Sequence, residues 1–200
     1  DTETIIAPDY KHNSKLYTSF YNTLSSQNKE VTYPEVGQEY EFGEGSFTVL
    51  GPTQIMDDSN NNSVVVRLDY GDTSFLFTGD VESKEEKDII AANEDLYCDV
   101  LSVGHHGSAS STSWDFLEAV LPEYAVISCG VNNSYGHPDP DTIEKLESIE
   151  AQIFRTDLQG NIIAISDGET ITWNNVPSNG EVLYAADFVS VKEEPNDTSS

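Results

Sequence analysis

Three times between residues 74 and 140 an apolar run of strand length gives way to a glycine-bearing polar loop, and a stretch of helical length follows. The runs are Ser74-Phe75-Leu76-Phe77-Thr78 before Gly79-Asp80, Val100 to Val103 before Gly104-His105-His106-Gly107, and Tyr124 to Cys129 before Gly130. The helical stretches are Glu82 to Ala92, Ser113 to Val120 with Pro122 as its stop, and Asp141 to Ile149 behind Pro140. Strands that return through helices pair in parallel and are buried, so this grammar predicts an α/β domain with a sheet covered by helices.

The flanking sequence predicts more strands. Ser63 to Leu68 and Ser74 to Thr78 flank Tyr70-Gly71-Asp72 as a hairpin, and Phe47 to Leu50 ends at Gly51-Pro52. Thr4 to Ala7 and Val31 to Tyr33 read as short strands, while Leu16, Phe20 and Leu24 place a helix over Lys15 to Leu24. Asp57 to Asn62 reads as a polar loop. Strands at Gln152 to Thr156, Asn161 to Ile165 and Thr170 to Trp173 close the domain. Residues 1–175 are taken as one partial domain and 176–200 as an extension, with Lys192 to Ser200 polar and disordered. Cys98 begins one strand and Cys129 ends another, so no disulfide is expected.

Charge and hydropathy exclude some roles. With 36 acidic against 9 basic residues and a net charge of −27, the surface repels a phosphate backbone, so non-specific nucleic-acid binding is not expected. No apolar run reaches the roughly 18 residues that a membrane span needs.

In sheets covered by helices, functional side chains gather where strands end. Asp80 follows Gly79 there and suits metal binding or general-base work, or else a helix cap. His105 and His106, set between glycines after a buried strand, suit a metal, with one as ligand and the other facing substrate. His137, held between Gly136 and Pro138, is a candidate general acid, substrate contact or further ligand. His12 sits among polar residues and reads as a surface side chain.

The series Leu-Phe-Thr-Gly-Asp, Asp-Val-Leu-Ser-Val-Gly-His-His-Gly-Ser, and Ala-Val-Ile-Ser-Cys-Gly with Tyr-Gly-His-Pro resembles the metallo-β-lactamase superfamily. It is similar in particular to the branch found at the C-terminus of competence (DNA-uptake) channel proteins and in related secreted hydrolases. Arg155-Thr156-Asp157 with Gly160-Asn161-Ile162 extends the likeness, which covers roughly residues 45 to 173. The resemblance implies the C-terminal half of an αββα sandwich, with one or two zinc or manganese ions at its edge. It implies Asp80 and His105 as metal ligands, with His106 the other candidate of the pair. His137 would lie near the substrate, assisted by Ser108.

The resemblance also exposes a gap. The superfamily's main ligand motif, His-x-His-x-Asp-His, is absent, since the only histidines are His12, His105, His106 and His137. The chain is therefore expected to be a fragment whose first half lies upstream, the alternative being a degenerate relative. The expected function is part of a metal-dependent hydrolase that cleaves phosphodiesters by a metal-bound hydroxide, inactive as this fragment alone. The rival is a non-catalytic binding or surface module. Expected partners are the missing half or a second copy, and a phosphodiester substrate. The resemblance and the acidity suggest an extracellular or cell-surface location.

Overall fold

The computed structural model describes residues 4–179; the end of the proposed extension, with the run from Lys192 to Ser200, lies outside the described residues. Its centre is a seven-stranded sheet in the order β1-β2-β3-β4-β5-β6-β7. The first four strands, β1 (Glu39–Phe42), β2 (Gly45–Gly51), β3 (Val65–Tyr70) and β4 (Thr73–Phe77), pair antiparallel. From β4 onward β5 (Val100–Ser102), β6 (Tyr124–Ile127) and β7 (Gln152–Arg155) pair in parallel. The change of hand follows from the connections. The two-residue turns of β1–β2 and β3–β4 permit only antiparallel neighbours and a longer loop joins β2 to β3, whereas helices α2 (Ser83–Ala92), α3 (Trp114–Val120) and α4 (Pro140–Ser148) carry the chain back to start each parallel strand.

Those helices cover one face. Leu76, Leu101, Ala125, Ile127 and Ile153 of the sheet pack with Ile89, Phe116, Leu117, Val120 and Leu146 of the helices in one buried cluster. Ser113 caps α3 by accepting from Phe116 N, and Asp139 caps α4 by accepting from Asp141 N, with Pro140 in the first turn. The opposite face is only partly covered. The hairpin of β8 (Ala164–Ser166) and β9 (Ile171–Trp173) lays Trp173 on Phe154, ring centroids 4.2 Å apart. Beyond it Phe42, Leu68, Phe75 and Phe77 line an open hollow of about 490 Å³, with Phe42 67% and Phe77 44% exposed.

Helix α1 (Lys15–Ser26) forms as expected and buries Leu24. The strands expected over Thr4 to Ala7 and Val31 to Tyr33 reduce to a single bridge between Ile6 and Thr32. The last hairpin begins later than expected, because Asn161 contributes its carbonyl to the Asn174 and Asn175 side chains rather than to a strand. Both cysteines are free, as expected.

Candidate functional site

The parallel half of the sheet sends the ends of β4, β5 and β6 to one edge. Asp80 stands just beyond β4, where its backbone N–H donates to Ser63 Oγ at 3.1 Å. Gly79 precedes it with φ +58°, and a Cβ there would meet Ser63 Cβ at 2.8 Å, so a glycine is required for this approach. After β5, His105 N donates to Gly79 O at 3.0 Å, which fastens the histidine loop to the aspartate loop.

The paired histidines are held differently. His106 Nδ1 lies 2.7 Å from Ser128 O. A carbonyl can only accept, so Nδ1 donates to it and Nε2 is the ring nitrogen left to face the site. That nitrogen faces Asp80 Oδ1 at 3.6 Å. His105 turns its Nδ1 to Glu82 Oε1 and Ser110 Oγ, each at 3.4 Å. Each histidine of the pair thus faces its own carboxylate, His106 that of Asp80 and His105 that of Glu82.

His137 arrives from the loop after β6. Gly107 joins this loop to the histidine pair: its φ is +84°, a Cβ there would strike Pro138 Cβ at 2.7 Å, and its carbonyl accepts from Asp139 N at 2.8 Å. The ring of His137 lies 5.9 Å from that of His105. Burial, then the positive charge of His105 and His106 when protonated, hold its imidazole below the usual range, so the neutral form is favoured. A hollow of about 360 Å³ opens beside it, lined by His106, Ser128, Cys129, Asn133 and Tyr135.

Ser108 is buried, and its Oγ engages Ser110 Oγ at 3.0 Å and accepts from Ser110 N, so it shapes the loop from inside. His12 lies outside the cluster and accepts from Ser14 N beside α1.

Two acidic residues at the start of α2, Glu82 and Glu86, support the site. Glu82 accepts from Ser110 Oγ at 3.1 Å as well as facing His105. Glu86, 1% exposed, accepts from Thr112 N and from Ser113 N at 2.9 Å, anchoring the segment between the histidine loop and α3. Its only advance signal is a carboxylate four residues after Glu82, on one helix face. Asn61 accepts from Glu82 N at 3.0 Å, which ties the loop before β3 to the same edge.

A model of the metallo-beta-lactamase superfamily matches residues 2–131. The chain belongs to this superfamily. The matched stretch reaches back well before the first of the strand-end motifs. The chain is 38% identical to ComE operon protein 3 of Bacillus subtilis over 117 residues, 58% of this chain and 15% of that protein. It is 38% identical to Competence protein ComA of Neisseria gonorrhoeae over 125 residues, 62% of this chain and 18% of that protein. It is 34% identical to Recombination protein 2 of Haemophilus influenzae over 132 residues, 66% of this chain and 16% of that protein. The chain thus spans at most 18% of the length of these three relatives.

Superfamily members are typically metal-dependent, and the donors present can be tested against that requirement. A carboxylate and an imidazole whose Nε2 is turned toward it are donor types that suit zinc or manganese. Among the described residues, however, no three His, Cys, Asp or Glu side chains converge to hold an ion. A catalytic zinc takes about three protein ligands. The pair Asp80–His106 falls short of that, so these residues do not form a complete centre.

Proposed function

We propose that this chain contributes part of the active site of a metal-dependent hydrolase acting on phosphodiesters, and that the site is completed by donors outside the described residues. The observation that carries this reading is the convergence of Asp80 Oδ1 and His106 Nε2 at 3.6 Å, on loops that lock together through Gly79, Gly107 and Pro138. Asp80 and His106 are the donors toward zinc or manganese. His105, oriented by Glu82, and the neutral His137 face the substrate's oxygens, where each can donate a hydrogen bond. The missing donors come from a further segment of the same domain or from a second copy of the chain. A cell-surface or extracellular setting fits the acidic surface, and the competence names of the relatives suit a protein acting there.

The test has two parts. Metal bound per purified chain, measured after removal of loosely held ions, is expected near zero, and about one or two retained ions would refute the incomplete site. With the completing segment supplied, hydrolysis of bis(p-nitrophenyl) phosphate is expected to depend on Asp80 and His106. Unchanged rates in both Asp80→Ala and His106→Ala would overturn the assignment.

A non-catalytic binding module is the second reading. It is favoured by the incomplete donor set and by a net charge of −27, which opposes a polyanionic substrate. Restored metal binding without any hydrolysis of diesters would select it.

A further inference from the structure

The loop after β6 is built with more care than a connection needs. Asn133 Nδ2 donates to Gly130 O at 3.0 Å and to His137 O at 2.6 Å, while its Oδ1 accepts from His137 N at 3.0 Å. One side chain thus closes the loop across its own width, and Asp139 N fastens the far end to Gly107 O. From this braced loop Tyr135 stands 82% exposed, contributing little burial to the fold. Its ring lies against that of His137, centroids 5.8 Å apart and planes within 11°. The pair forms one wall of the hollow of about 360 Å³ whose other side is His106, the residue facing Asp80.

An exposed aromatic ring carried on a braced loop, beside a hollow within the usual size range of ligand sites, is a stacking platform. Every nucleobase presents a flat face to such a platform, whatever its hydrogen-bonding edge. Charge sharpens the choice of ligand. A surface of net charge −27 opposes a long phosphate backbone but does not oppose a neutral ring. We propose that the hollow between His106, Tyr135 and His137 receives the base of a nucleoside phosphodiester, stacked on the Tyr135–His137 pair with its phosphate directed to Asp80 and His106. This rests on the hydrolytic reading for the phosphate, whereas the ring site stands on the loop geometry. Tyr135 is on this account a specificity residue, selecting diesters that carry a base over those that carry only aliphatic groups.

The test uses the whole chain and ligands without phosphate. Adenosine and ribose are titrated separately while the ring resonances of Tyr135 and His137 are followed by NMR. Adenosine is expected to bind in the millimolar range and to shift both rings, and ribose to shift neither. Tyr135→Ala is expected to weaken adenosine about tenfold, the scale of one base–aromatic stack, and Tyr135→Phe to retain binding within about twofold. Equal responses to adenosine and ribose, or unchanged adenosine affinity in Tyr135→Ala, would overturn the proposal. Because adenosine has no phosphate, the two readings fail separately. Diesterase activity without preference for adenosine over ribose removes the ring site alone. Adenosine binding with no diesterase activity once the completing segment is supplied supports the ring site and removes the hydrolytic reading.

Discussion

Replacing Glu86 by alanine removes the buried side chain that accepts from Thr112 N, itself buried, and from the part-buried Ser113 N. A buried donor left without a partner costs about 1–3 kcal/mol. Two are orphaned here, which sets an upper range of about 2–6 kcal/mol by that figure. Against this, the carboxylate's own desolvation, which pushes its pKa up, is relieved when it is removed. Lys145 keeps a partner in Asp141 at 3.0 Å and so adds little to the loss. The net expectation is a destabilisation of about 2–4 kcal/mol, within the range for breaking a buried network. With a urea slope of about 2 kcal/mol/M, the unfolding midpoint falls by about 1–2 M. Trp114, in the first turn of α3, reports on the affected segment by fluorescence. Glu86→Gln, which keeps one acceptor oxygen, is expected to lose about half as much. A fall below about 0.5 kcal/mol in Glu86→Ala, the scale of an ordinary surface change, would refute the anchoring role.

Glu86 also gives a pH dependence. Burial raises its pKa in the folded state, so the native chain holds that proton to higher pH than the unfolded chain does. Its contribution is therefore full below the unfolded value of about 4.3 and is lost as pH rises through the folded value. Urea midpoints of the Glu86→Gln variant and the parent are expected to converge as pH rises above about 4.3, and a constant gap would contradict the sign. On the open sheet face, Phe42→Lys with Phe77→Lys is expected to reduce self-association in sedimentation, since large apolar patches drive it. A monomeric parent chain that melts cooperatively would show that the face needs no cover. Gly107→Ala is expected to destabilise by about 1–3 kcal/mol, through its positive φ and the contact with Pro138, with chemical shifts of His105 and His137 moving together. Movement of only one would mean the two loops are not joined there.

Much of this was legible in the chain because burial and connection leave marks in sequence. The β4–β7 series was readable from apolar runs such as Leu101 and Ile127, and the loops from their glycines. Strand β1 was not, because Glu39-Tyr40-Glu41-Phe42 is an exposed edge whose strand character comes from pairing with β2. Val31 to Tyr33 carries strand propensity but finds only the single bridge at Thr32. Asn61 and Asn62 read as solvated loop residues yet are buried, because Asn62 satisfies Met56 N and O, and Asn61 reaches Glu82 N. In the site, Asp80, the two histidines and His137 were legible as residue types. Their pairing was not: the orientation of His106 depends on the carbonyl of Ser128, 22 residues away and reached only through the fold.

His105 and His106 both hold left-handed backbone conformations, at φ 48° and 58°. For residues with a Cβ this costs about 1–2 kcal/mol each, a cost that glycine escapes. Selection for thermal resistance alone would then drift toward glycine at both positions, gaining stability while erasing the imidazoles. The persistence of two histidines on so unwelcoming a backbone would mark a lineage in which usefulness outweighs robustness, and their loss to glycine would date its retirement.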